Sequence, residues 1–121
     1  KFADRLLDTA KDHEVHKYIA EAHRLKAKIA TASGDLVAAA TEFAAGLEEL
    51  QRHPAPFVAW RTYADLGRLE QKRGDAAAAQ TAFRQAAEII NTCAANVSDA
   101  DLRAKFLNSK AVSTVMNGAL K

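Results

Sequence analysis

The chain has 121 residues, of which 49% are hydrophobic and 26% charged, with a net charge of +2. That balance fits one small globular domain and argues against a general nucleic-acid binder or a polybasic membrane anchor, which carry a larger basic excess. The single cysteine, Cys93, excludes an internal disulfide and a thiolate zinc cluster, and points to a reducing, cytoplasmic setting. No apolar stretch approaches the roughly 18–20 residues that cross a bilayer. The opening Lys1-Phe2-Ala3-Asp4-Arg5 mixes acid and base and lacks a signal-peptide core. Because the first residue is Lys and the amphipathic pattern is already running at Phe2, the chain is expected to be a piece of a longer protein.

Alanine fills 28 positions against five glycines and two prolines, a composition that favours closely packed helices over strands. Phe2, Leu6, Leu7 and Ala10 mark a short first helix. Val15, Tyr18, Ala22, Leu25 and Ile29 step by three and four and predict a long second helix over about residues 14–32. Leu36, Ala40, Phe43, Leu47 and Leu50 predict a third, and Trp60, Tyr63, Leu66 and Leu69 a fourth, from about Phe57 to Lys72. Ala79, Phe83, Ala86, Ile90 and Cys93 predict a fifth, and Leu102, Phe106, Val112, Val115 and Met116 one or two terminal helices. Nothing alternates long enough to make a strand, so the expected class is all-α. Gly34-Asp35 and Gly74-Asp75 supply the residue types that end one helix and cap the next. His53-Pro54-Ala55-Pro56 is the proline-containing break, and Ser98 with Asp101 three residues on predicts a capping box.

Sliding the sequence by 40 residues aligns Gly34-Asp35 with Gly74-Asp75, Ala38-Ala39 with Ala78-Ala79, Thr41 with Thr81, Phe43 with Phe83 and Glu48 with Glu88. A two-helix repeat of this length is the mark of an α-solenoid. Its details resemble a tetratricopeptide repeat. Tyr63-Ala64-Asp65-Leu66-Gly67 runs on to Gly74-Asp75, Ala79, Phe83 and Ala86, with small residues where paired helices must approach. The earlier copy, His23, Ala27, Gly34, Ala39, Phe43 and Gly46, carries Lys26 in place of the family's Leu and His23 in place of its aromatic. The resemblance implies a single domain of antiparallel helix hairpins. Residues 1–12 would end a preceding repeat, 14–53 and 56–94 would form two repeats, and 98–120 would form a C-terminal cap. Asp101-Leu102-Arg103-Ala104-Lys105-Phe106-Leu107 is similar to the C-terminal ending of large bacterial signalling proteins that join such repeats to an ATPase, cyclase or DNA-binding module.

The residues point away from catalysis. There is no phosphate-binding glycine loop, and Glu48-Glu49 diverge on a helix, so neither an enzyme activity nor a cofactor is expected. His13 and His16 stand an i, i+3 step apart but lack a third protein ligand, so they read as solvated surface and no metal site is expected. His23 reads as a packed substitute for the repeat's aromatic, and Cys93, in register with Ile90 and Ala86, as an inert core thiol. In tetratricopeptide arrays the first helix of each pair lines a concave groove. The resemblance places Arg24 and Lys28, then Arg61, Arg68 and Lys72, along such a groove, with Glu21, Asp65 and Glu70 as local partners. The expected function is a protein-interaction scaffold that receives an acidic peptide there. A regulatory tail of a bacterial ATPase, adenylate cyclase or transcription regulator is the alternative. Nucleic-acid binding ranks below both, since no helix-turn-helix or basic–aromatic interleaving is present. A homodimer through Phe2, Leu6 and Leu7 is expected if that helix has lost a neighbour.

Overall fold

A computed structural model describes the backbone of residues 2–120 and the side chains of residues 12–119. Six helices follow one another: α1 (Phe2–Ser33), α2 (Leu36–Arg52), α3 (Pro56–Lys72), α4 (Ala76–Ala95), α5 (Ala100–Asn108) and α6 (Lys110–Leu120). Among the described residues there is no strand, and the class is all-α. The chain forms two compact units, residues 1–58 and 59–121.

The sequence predicts a break after Ala10, but α1 runs unbroken from Phe2 to Ser33. Lys11-Asp12-His13 contains neither Gly nor Pro, so nothing interrupts the helical hydrogen-bond ladder there. Residues 2–12, expected to end a preceding repeat, therefore continue into the same helix. The side chains of Phe2, Leu6 and Leu7 lie outside the described residues, and the dimer expected through them with it.

The 40-residue repeat is visible in the backbone as well as in the letters. Gly34 and Gly74 take φ of +86° and +79°, the left-handed region that only glycine enters without strain. At the first turn, Gly34 N–H donates to Thr31 O at 3.2 Å and Asp35 N–H to Ala30 O at 2.9 Å. At the second, Gly74 N–H donates to Gln71 O at 3.1 Å and Asp75 N–H to Glu70 O at 2.9 Å. Both turns are thus complete Schellman motifs, satisfying carbonyls that the helix ends leave open. The same aspartates then cap the next helix, Asp35 accepting from Ala38 N–H at 3.1 Å and Asp75 from Ala78 N–H at 2.9 Å.

In unit 1, the interior of the α1–α2 hairpin is built on Ala20, Ala27, Ala39, Phe43, Gly46 and Leu50. In unit 2, Trp60 and Ala64 of α3 meet Ala86 and Ile90 of α4 and Val112 and Val115 of α6 in one core. Phe83 fills the remaining space. A Cβ at Gly67 would lie 2.7 Å from its ring and one at Gly118 3.3 Å, so α3 and α6 both press against this phenyl. The cap of α5 lies one residue beyond the expected Ser98. Asp99 accepts from Asp101 N–H at 2.9 Å and Leu102 N–H at 3.1 Å. Arg103 then donates to Val97 O at 2.6 Å and Ala94 O at 3.2 Å, closing the carbonyl end of α4.

Candidate interaction surfaces

The apolar stripe that predicts the helix over residues 14–32 does not face its partner helix. Val15, Tyr18, Ile19, Leu25 and Ile29 are 38–70% exposed. The face of α1 turned to α2 carries His16, Ala20, His23 and Ala27 instead, and two of these make polar pairs across the hairpin. His23 Nδ1 lies 2.7 Å from Glu42 Oε2, and His16 Nδ1 is paired with Glu49 Oε1. The residue numbers in each pair sum to 65, so the two helices run antiparallel in a register centred between Ala32 and Ser33, just before the Gly34 turn. His23 thus occupies the interface position expected of it, as a hydrogen-bonded group at the carboxylate of Glu42.

A second polar cluster sits at the open end of this hairpin. His53 caps α2 with φ −132° and ψ 82°, so it lies just outside the helix. Its ring stacks on that of His16, centroids 3.4 Å apart and planes 3° from parallel. Asp12 Oδ1 stands 3.3 Å from His16 Nε2, one helical turn back. Coordinating atoms from Asp12, His16 and His53 all lie within 4.8 Å of one another. His13, the other half of the spacing motif, is exposed and outside this group.

The five basic residues divide between the units. Arg24 and Lys28 belong to unit 1, and Arg61, Arg68 and Lys72 to unit 2. Arg24 lies against Glu21, with Nη2 at 2.5 Å and Nε at 3.1 Å from its carboxylate. Lys28, Arg61 and Lys72 are exposed. The Arg61 guanidinium sits 5.2 Å from the centroid of the Trp60 ring, within cation–π range. Arg68 donates to Asp65 at 2.7 Å, a carboxylate buried on the same helix. Glu70 takes Arg73 at 3.2 Å. Arg68 also borders a cleft of about 730 Å³ within unit 2, together with Gln71, Gln80, Phe83, Thr114 and Asn117. Arg61 and Lys72 do not line it.

Cys93 is half-buried, and burial pushes its thiol up from the usual value. A thiol shifted in that direction holds less thiolate at neutral pH, opposite to what a nucleophile needs. No helix among the described residues is long and apolar enough to cross a membrane.

Sequence reasoning missed two features here. The exposed stripe of α1 has the same three–four spacing as a buried one, so periodicity could not separate them. The convergence on His16 was in principle countable, since the register of the histidine–glutamate pairs sets His53 opposite Asp12, one helical turn before His16. Set beside known proteins, the chain matches no family model, no curated protein and no solved structure.

Proposed function

We propose that this chain is a non-enzymatic protein-interaction scaffold, built on a tetratricopeptide-like solenoid plan and working as part of a larger cytoplasmic regulatory protein. The observation that carries the reading is the solvent-facing stripe of α1. Five large apolar side chains on one helix face, at coiled-coil spacing, form a patch of the kind that marks a protein-binding surface. A partner helix offering its own apolar seam is the ligand such a face selects.

The test is the double substitution Tyr18→Glu and Ile29→Glu, at positions 66% and 70% exposed. Helicity and melting temperature should be unchanged. Proteins that co-purify with the wild-type chain from native cytosol should be lost from the variant in quantitative mass spectrometry. A large fall in melting temperature would mean that the stripe is internal packing, and an identical set of bound proteins would remove the reading.

A second surface supports binding of an acidic segment. Arg68, Gln71 and Asn117 border the cleft of unit 2, offering one cation and two amides to a peptide carboxylate and its backbone. Arg68→Gln removes the charge while keeping a donor for Asp65. It should weaken binding of a glutamate-rich peptide by about 1–2 kcal/mol in fluorescence anisotropy, the scale of a lost charge-assisted hydrogen bond.

A further inference from the structure

The imidazole–carboxylate cluster of unit 1 takes no part in the interaction surfaces described above. Among the described residues, Asp12, His16 and His53 form the one group of three metal-type ligands whose coordinating atoms converge. Glu49 adds a carboxylate at His16 Nδ1. That contact matters for what the other nitrogen can do. With Nδ1–H donating to Glu49, the neutral ring presents its Nε2 lone pair outward, and the atom it faces at 3.3 Å is the carboxylate oxygen of Asp12. In that tautomer a lone pair of Nε2 and a carboxylate oxygen of Asp12 are directed at the same space, the arrangement of two ligands to one cation.

We propose that Asp12, His16 and His53 bind a divalent transition-metal ion of the Zn²⁺ class, with Glu49 orienting His16 from behind. The chemistry of the donor set fits. Two imidazoles and one carboxylate are a borderline-soft set of the kind Zn²⁺ accepts, leaving a fourth tetrahedral position to water. Ligand atoms around tetrahedral Zn²⁺ lie about 3.3 Å apart for bonds near 2.0–2.1 Å, and the Asp12–His16 pair already has that spacing. A carboxylate on the far nitrogen of a ligating histidine is the usual outer support of such a site, fixing its tautomer and raising its basicity. The carboxylates of Asp12 and Glu49 would balance the charge of a divalent ion held by the two imidazoles.

One movement is required. The in-plane lone pairs of two rings stacked 3° from parallel cannot meet at a single ion. One ring must turn, and His53, in the non-helical cap between α2 and Pro54, has the freedom to do so. Face-to-face stacking is also the arrangement that ring quadrupoles favour least, so little is lost when the stack opens. The bound ion would tie the C-cap of α2 to the Asp12–His16 turn of α1, bracing the open end of the hairpin.

The experiment is calorimetric titration of the untagged chain with Zn²⁺ alone, with the melting temperature followed in parallel. One equivalent should bind and raise the melting temperature, and Co²⁺ in its place should give the strong visible absorption of a tetrahedral site. His53→Gln and Asp12→Asn should each weaken Zn²⁺ binding at least about tenfold, and Glu49→Gln by about 10–100-fold, as outer-shell changes do. His13→Gln should leave it unchanged. His53 and Asp12 lie outside the hairpin core, so the variants should keep wild-type helicity by circular dichroism. Absence of saturable binding would overturn the proposal and leave a proton on His16 Nε2 as the cation between the carboxylates. Equal loss in His13→Gln would also overturn it, by moving the site to the i, i+3 pair.

Discussion

The α1–α2 and α3–α4 hairpins share a turn, a capping aspartate and a phenylalanine at matched positions, yet they fill their interiors with different chemistry. The second hairpin closes on Trp60, Ile90 and Phe83, with aliphatic groups of α6 against them. The first closes on alanines and Phe43, and places histidine–glutamate pairs where the second has aromatic and aliphatic contacts. Position 23 is histidine where position 63 is tyrosine, 40 residues on. A repeat's backbone grammar is therefore separable from its core. Schellman turns and N-caps fix where helices stop and start, whereas interior side chains decide how strongly and under which conditions the pair holds.

The largest test of that contrast is Phe83→Ala. The ring is buried and pressed by the backbone of two other helices, so the cavity it leaves cannot collapse readily, and the cost should be about 3–5 kcal/mol. Urea unfolding followed by fluorescence of Trp60, the only tryptophan, should show it as the costliest single truncation in the chain. Phe43→Ala should cost less. A reversed order would break the comparison, and an unchanged midpoint for Phe83→Ala would mean that the repeat alignment itself is wrong.

Gly67→Ala comes next. The added methyl would meet three ring carbons of Phe83 at 2.7–2.9 Å, forcing the phenyl or the helix to shift at about 1–3 kcal/mol. The matched position in the first hairpin is Ala27, which is fully buried and already carries that methyl. Ala27→Gly should therefore cost only about 1 kcal/mol, the helix-propensity difference together with the lost methyl contact. Thermal denaturation of the two variants measures both. Similar costs would show that the hairpins have equal clearance.

The smallest effect should come from the polar pairs. His23→Gln removes an imidazole from Glu42 at a site where both side chains are 29% exposed, and should cost about 0.2–1 kcal/mol at low salt. Chemical denaturation at low and at molar salt checks this, because screening should remove most of the difference. A cost above that range, insensitive to salt, would make the pair a buried structural element and bring the two hairpins closer in kind.

The all-α class and the two glycine–aspartate turns were legible in the letters, though the continuity of α1 through residues 10–13 was not. Gly34 and Gly74 are needed where φ is positive, Asp35 and Asp75 where free N–H groups need an acceptor, and a small residue at position 67 where Phe83 arrives. These are local requirements, met by residues within a few positions or repeated at a fixed offset. Which face of α1 meets α2 could not be read from periodicity, because both Val15-Tyr18-Ala22-Leu25-Ile29 and His16-Ala20-His23-Ala27 have helical spacing. Hydrophobicity alone selects the first stripe. The second is buried because α2 presents matching groups: Glu42 and Glu49 stand opposite the two histidines. Gly46 lets the helices close until a Cβ built there would lie 3.2 Å from that of His23. The stop before α5 followed the same logic at shorter range. Asp99 rather than Ser98 became the cap, because in the folded loop its carboxylate reaches the free N–H groups of Asp101 and Leu102. Periodicity gives a helix its faces, but complementarity across the hairpin chooses between them, and that is a property of two segments together.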